Sequence, residues 1–305
     1  MDFWFLEMSN RKAIILDLDG TIYNWVDFFA PSFRAMVHVL SRLTRLDEEV
    51  IIQSFKRVYQ AHNTLEYSFS VQELDIWESL QWPKEDIEEK AVKAARGAFR
   101  RVRKKHLSLY PGIKETLQWA KSQGLIIIAY TDSPRIQAEM RLKFLRTDNL
   151  FNRLHSLQDS NLPEGSDIPE DVINKMRAGK YSSKITIKSQ FGPQDVKPSP
   201  ETLRSLLNEF QLTPPNTYLV GDSIQKDIAG AQEVGIIDIW ARYKNYSSKT
   251  KNIETILKIT PWTKEQIAKS KEASQVIKPT YIIDSFAEIK EIIGNQRPSQ
   301  LKLPL

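Results

Sequence analysis

The chain has 305 residues, 41% of them hydrophobic and 27% charged, with a formal net charge of +5. Such a composition belongs to a globular protein long enough for one large domain and a smaller one. The absence of cysteine excludes disulfides, thiolate metal sites and a cysteine nucleophile. No apolar run approaches the roughly 20 residues that a membrane span needs. The opening Met1-Asp2-Phe3-Trp4-Phe5-Leu6-Glu7 lacks the basic leader, apolar core and small-residue cleavage site of a secretion signal, and Met8 is an alternative start. A cytoplasmic protein without a membrane partner is the expectation.

The first predicted element is a strand over Ala13 to Leu16. Four consecutive buried-type residues read as a strand covered on both faces, as in a parallel sheet. Directly after it stands Asp17-Leu18-Asp19-Gly20-Thr21. Ligands of such sheets bind just beyond the carboxyl ends of the strands, where both aspartates fall. Gly20 allows a tight turn and close approach of a bound group. Two carboxylates two residues apart can lean toward one site, one as nucleophile and the other moving protons. The plain alternative is an acidic turn after a strand.

From about Trp25 to Leu107 the pattern is helical, with no convincing strand. Phe29, Phe33, Met36, Val37, Leu40 and Leu43 fall on one helical face, and Val50, Ile51, Ser54, Phe55 and Val58 on another. His62-Asn63-Thr64-Leu65-Glu66-Tyr67-Ser68 reads as an interhelical loop, although its polar groups could also contact a leaving group. A later helix opens with Pro83 and the acids Glu85, Asp86, Glu88 and Glu89. It ends in Arg96, Arg100, Arg101, Arg103, Lys104 and Lys105, the charge order that the helix dipole favours. The basic end therefore reads as a solvated helix terminus rather than a nucleic-acid patch, and only Phe99 supplies an interleaved aromatic. Pro111-Gly112 marks the return to the sheet.

Beyond that turn, strands are predicted over Leu125 to Tyr130, Tyr218 to Val220, Ile236 to Trp240 and Tyr281 to Ile283. Helices over Ile113 to Gln123, Arg135 to Leu145, Pro200 to Phe210 and Asp227 to Val234 alternate with them. This alternation predicts an α/β fold, a doubly wound parallel sheet with an inserted α-helical subdomain. The expected division is a catalytic core of residues 1–24 and 108–305 and a helical insert of residues 25–107. Two further insertions are expected near 158–194 and 246–275. The first carries the acidic, turn-rich 161–167 and a short strand around Lys184 to Lys188, and the second two helical pieces around Thr260-Pro261-Trp262.

Three more polar motifs follow the first. Thr131-Asp132-Ser133-Pro134 ends a strand, where a hydroxyl and helix-start amides could hold an anionic oxygen or simply cap the helix. Lys197-Pro198-Ser199-Pro200 sets a cation ahead of a helix, either a point charge for a phosphoryl group or an ordinary surface residue. In Val220-Gly221-Asp222-Ser223-Ile224-Gln225-Lys226-Asp227, Asp222 stands past a buried strand and Asp227 at a helix start. Paired carboxylates there suit Mg²⁺, which takes oxygen ligands, while Asp227 alone also fits a cap.

The order of these motifs resembles the haloacid dehalogenase superfamily in its phosphatase branch, over about Arg11 to Trp240 and Pro279 to Ile293. The resemblance implies a Rossmann-like core and a mobile C1-type cap formed by the helical insert, as in phosphoglycolate phosphatases and β-phosphoglucomutases. It implies that Asp17 attacks phosphorus and forms an aspartyl-phosphate, and that Asp19 protonates the leaving oxygen and later activates water. It further implies that Gly20, Thr21, Thr131 and Asp132 line the phosphoryl site and that Lys197 offsets charge there. Mg²⁺ would be held by the Asp17 carboxylate, the Asp19 backbone carbonyl, Asp222 and Asp227.

Asp132 departs from the asparagine common in this branch, and its extra charge is expected to weaken phosphate affinity. The expected activity is hydrolysis of a small phosphorylated metabolite. Phosphoryl transfer between metabolites and a non-catalytic scaffold for acidic partners are the alternatives. Dehalogenation is disfavoured by the acid at position 19, which that branch lacks. Oligomeric state is not legible.

Overall fold

The computed structural model describes residues 11–160, 182–243, 249–263 and 275–295, together with 265, 268 and 272. The acidic stretch 161–167, the N-terminal heptad and most of the second helical piece after Trp262 lie outside these residues.

Seven parallel strands form one sheet: β1 (Ala13–Leu16), β2 (Ile126–Pro134), β3 (Arg153–Leu157), β4 (Ile187–Phe191), β5 (Thr217–Gly221), β6 (Ile237–Ala241) and β7 (Tyr281–Ile283). Their spatial order is β4-β3-β2-β1-β5-β6-β7. The chain thus winds outward from β1 in both directions, and the crevice for a ligand opens where that direction reverses. β1 lies between β2 and β5, with Leu16 opposite Ala129 and Val220. All of its residues are buried, as a strand covered on both faces requires.

The helical insert follows β1 after a single turn. It comprises α1 (Trp25–Thr44), α2 (Glu48–Ala61), α3 (Ile76–Leu80), a π-helical turn (Ile87–Val92) and α4 (Lys93–His106). Asn24 caps α1 by accepting from the Asp27 amide at 3.1 Å, and Asp47 caps α2 through the Glu49 amide at 2.7 Å. Phe29, Phe33, Met36, Val37 and Leu40 are buried on one face of α1, and Ile51, Ser54, Phe55 and Val58 on one face of α2. Leu43 and Val50, expected on those faces, are exposed: each sits in a terminal turn that overhangs the contact.

Further helices among the described residues are α5 (Ile113–Ser122), α6 (Arg135–Phe144), α7 (Pro200–Phe210), α8 (Ala229–Glu233), α9 (Thr250–Ile259) and α10 (Ile289–Asn295). Helix α9 comes from the insertion after β6 and lies against the helical insert. There Arg34 donates to Thr255 Oγ1 at 2.6 Å and Asn252 Oδ1 at 2.8 Å, and Asn252 donates to Asp27 at 2.7 Å. Two strand expectations need correction. The strand expected at Lys184 to Lys188 lies three residues later, and β3 was not anticipated. Arg153 and His155 give β3 a polar look, but Ser189 on β4 meets one side of each, accepting from Arg153 Nη2 at 2.7 Å and bonding His155 Nδ1, while Arg153 Nη1 pairs with Glu209.

Among the described residues no helix is long and apolar enough to cross a membrane.

Candidate active site

Asp17 leaves β1 with its amide donating to Val220 O at 3.0 Å, so it starts where the sheet stops. The chain then turns sharply. Gly20 has φ +92°, a conformation that a side chain would strain, and its amide donates to Tyr23 O at 2.9 Å. This turn folds Thr21 back, and its hydroxyl donates to Asp17 Oδ2 at 3.0 Å.

The other Asp17 oxygen accepts from Lys197 Nζ at 2.5 Å, and the same ammonium donates to Asp227 Oδ1 at 2.9 Å. Lys197 is only 5% exposed. Its burial, which alone would lower the pKa, is outweighed by Asp17, Asp227 and Asp132, so the ammonium stays charged well above its ordinary range. Burial lifts the Asp17 pKa to about 6, Lys197 pulls against it, and Asp227 and Asp19 add to it. Asp227 is raised in the same way, by burial and then by Asp222, against the pull of Lys197. Two buried carboxylates thus share one buried cation.

Asp222 brings a third carboxylate. Oxygen atoms of Asp17, Asp222 and Asp227 all lie within 4.8 Å of one another. Backbone economy makes this approach feasible: a Cβ on Gly221 would lie 2.2 Å from Asp227 Cγ, so only glycine lets Asp227 swing under the end of β5. The Ser223 amide then fixes Asp227 Oδ2 at 3.0 Å. Such an all-oxygen donor set suits a hard divalent cation.

Thr131 and Asp132 stand beside this cluster at the end of β2. Thr131 is buried, and its hydroxyl accepts from the Ser133 amide at 3.1 Å. Asp132 accepts from the Lys197 amide at 3.1 Å and from Lys226 Nζ at 2.8 Å. Burial would raise its pKa, but Lys226 and Lys197 hold it below the ordinary range. The extra charge at this position therefore comes with its own cation, Lys226, which the sequence reading did not single out.

Asp19 faces a different set of partners. Its carboxylate accepts from Arg141 Nη1 at 2.8 Å and from the Ser133 hydroxyl. Its side chain is therefore not part of the three-carboxylate cluster, and only its backbone could serve a metal there. Glu66, from the segment read as an interhelical loop, accepts from Arg141 Nη2 and lies 2.6 Å from Ser133 Oγ. The segment is a turn-rich connection, yet one of its side chains reaches the core. Arg141 had a legible signal: it shares the buried face of α6 with Ala138 and Leu142, where a charge needs a partner.

The family comparisons agree with this geometry. A model described as haloacid dehalogenase-like hydrolase matches residues 11–235, and a second, HAD-hydrolase-like, matches 196–289. The chain is 22% identical over 292 residues to pyrophosphatase PpaX of Bacillus cereus, covering 94% of this chain and 99% of that one. It is 25% identical over 243 residues to a phosphoglycolate phosphatase of Mannheimia succiniciproducens, covering 77% and 87%. A solved HAD phosphatase from Thermococcus onnurineus shares the fold with a TM-score of 0.50 at 17% identity, covering 94% and 99%. The strand order, the carboxylates beyond β1 and β5 and these matches lead to one assignment: the chain belongs to the haloacid dehalogenase-like hydrolase family.

Proposed function

We propose that the protein is a Mg²⁺-dependent hydrolase of small organic phosphate monoesters that works through an aspartyl-phosphate on Asp17. One observation carries the reading: a carboxylate at the switch point of the sheet is bonded to a buried lysine and flanked by two further carboxylates. The names of the relatives, a pyrophosphatase and a phosphoglycolate phosphatase, fit a small phosphorylated substrate.

The residues present fit Mg²⁺. Asp17, Asp222 and Asp227 would hold it, with the Asp19 backbone carbonyl as a further oxygen donor. Burial first, and then the neighbouring carboxylates, raise the pKa values of Asp17 and Asp227 against the pull of Lys197, so negative charge is concentrated here. When bound, the ion would offset that charge and the charge of the phosphoryl group.

Within this reading Thr21 orients Asp17 so that its other oxygen can attack phosphorus in line. Lys197 reduces the repulsion between the carboxylate and an anionic phosphate and stabilises charge on the equatorial oxygens during transfer. Thr131 and the backbone amides after it bind phosphoryl oxygens, and Lys226 keeps Asp132 from opposing them. Asp19 gives a proton to the leaving oxygen and later takes one from the water that releases phosphate. The helical insert, residues 25–107, acts as a cap over the site, with the core formed by 1–24 and 108–305.

The test is phosphate release from a panel of small phosphomonoesters, with Mg²⁺ or with EDTA, for the natural chain and Asp17→Asn. Release that requires Mg²⁺ and is lost in Asp17→Asn supports the reading. Release that survives Asp17→Asn, or none from a folded protein that binds Mg²⁺, refutes it.

A further inference from the structure

Helix α4 of the insert carries cations that its own structure does not balance. Where the helix begins, lysines pair with acids one turn away: Lys90 with Asp86 at 3.0 Å, and Lys93 with Glu89. Beyond Glu89 the next acid in the chain is Glu115, and Arg96, Arg100, Arg101, Arg103, Lys104 and Lys105 lie between them. Arg96 turns to the Ser68 carbonyl at 3.2 Å. Arg100, Arg101 and Lys104 are exposed, and among the described residues their side chains have neither a carboxylate nor a hydrogen-bonding partner.

The helix dipole favours cations only within the last turn, which holds Arg103, Lys104, Lys105 and His106. It does not account for Arg100 and Arg101. These two stand four and three residues before Lys104, the spacings at which like charges face one another and oppose the helix.

Gly97 adds an independent observation. It shares the face of Arg100, Arg101 and Lys104, at three, four and seven residues' distance. A glycine inside a helix weakens it, and close packing of a neighbour is the common reason for one. That reason is absent here. Apart from the helix's own backbone, a Cβ on Gly97 would meet Arg101 Nη1 at 3.4 Å and no atom of another element within 4 Å. The missing side chain instead shapes an open cavity of about 270 Å³ lined by Gly97, Arg100, Arg101 and Lys104.

We propose that this cavity is a second anion site, for a compact ligand with two or more linked phosphoryl groups. Two guanidinium forks and one ammonium around a single hollow suit several adjacent phosphoryl oxygens. A nucleic-acid strand fits less well. Phe99, the aromatic residue of α4, packs edge-on against Phe29 of α1 with ring centroids 5.5 Å apart, so the cavity offers no platform for a base. The site shares no residue with the carboxylate cluster beyond β1 and β5 and does not depend on the proposed activity.

The experiment is calorimetric titration of the full chain in EDTA with tripolyphosphate, orthophosphate and a short DNA duplex. The natural chain is compared with Gly97→Leu and with the double variant Arg100→Gln, Arg101→Gln. One tripolyphosphate should bind per chain, at least about tenfold more tightly than orthophosphate. A hydrogen bond between charged groups is worth about tenfold in affinity, so loss of both guanidinium groups should weaken binding about 100-fold. Gly97→Leu keeps every charge but fills the hollow and displaces Arg101, so it should cost about tenfold. Leucine is the better helix former, and this variant should be at least as resistant to urea as the natural chain.

No binding by the natural chain, equal affinity in Gly97→Leu, or orthophosphate bound as tightly as tripolyphosphate overturns the proposal. So does a duplex bound more tightly than tripolyphosphate, which would mark a nucleic-acid surface. Binding at the sheet end would survive both variants and counts against it. If Gly97→Leu does not fold, the double variant decides, and a loss below about tenfold refutes the site.

Discussion

Replacing Lys197 with methionine removes the one ammonium that Asp17 and Asp227 share, while keeping a chain of similar length. In the natural protein that ammonium lies 2.5 Å from Asp17 Oδ1 and 2.9 Å from Asp227 Oδ1, and all three side chains are buried. At an effective dielectric near 20, unit charges about 3 Å apart attract by roughly 5 kcal/mol, and breaking a buried pair costs about 3–5 kcal/mol. The loss should depend on pH. Asp17 already titrates near 6 with Lys197 present. Without the lysine both carboxylates take up protons more readily, so the deficit against the natural chain should be largest at pH 8 and shrink toward pH 5. Mg²⁺ should narrow the deficit at pH 8 by supplying the missing charge. Urea unfolding in EDTA and in Mg²⁺ at both pH values measures all four numbers. A variant as stable as the natural chain at pH 8 in EDTA, or a deficit independent of both pH and Mg²⁺, would refute this electrostatic account.

The raised pKa of Asp17, about 6, means that protons compete with Mg²⁺ for its oxygens. Mg²⁺ affinity measured by calorimetry should be level above pH 7 and fall about tenfold per unit below pH 6, and a flat profile would contradict the assignment of Asp17 as a ligand. Gly221→Ala places a methyl 2.2 Å from Asp227 Cγ. The displaced carboxylate should cost about 100-fold in kcat and weaken Mg²⁺ binding, whereas unchanged kinetics would show that the close approach is dispensable. Burial, and then Arg153, lowers the His155 pKa from 6.5 to about 4. A depressed folded-state value gives stability that is present above pH 6.5 and lost as pH falls toward 4, up to about 3 kcal/mol. His155→Gln should flatten that decline in urea unfolding curves, and an unaltered pH dependence would remove His155 as its cause.

Much of this fold was legible because the informative strands are buried on both faces. Ala13 to Leu16 and Tyr218 to Val220 are apolar runs that suit such a position, while Tyr281 to Ile283 is apolar in sequence but forms an edge strand with Ile282 exposed. β3 escaped notice because Arg153 and His155 are polar, and their partner Ser189 comes from a strand 34 to 36 residues away. The same distinction holds in the site. Asp17 and Asp222 follow strands directly and Asp227 lies in the helical turn after β5, so their grouping could be read from local pattern and parallel topology. Glu66 could not, because a turn-rich segment between helices carries no local mark of where a side chain will point. Arg141 lay between these cases: a charge on an apolar helical face announces a buried partner but does not name it. Lys226 was hidden beside a stronger motif, and its role becomes apparent only once Asp132 is seen 2.8 Å away.

The central claim, phosphoryl transfer to Asp17, is tested most directly by trapping the intermediate. Asp19→Asn should form an aspartyl-phosphate but hydrolyse it slowly when the substrate is an aryl phosphate, whose leaving group departs without a proton. The variant would be mixed with p-nitrophenyl phosphate and Mg²⁺, quenched in acid, digested and weighed by mass spectrometry. The account expects one added phosphoryl group on the peptide containing Asp17, released by hydroxylamine and absent in EDTA. Phosphate release by the natural chain with no covalent phosphate on that peptide, or with the phosphoryl group on another residue, would contradict it.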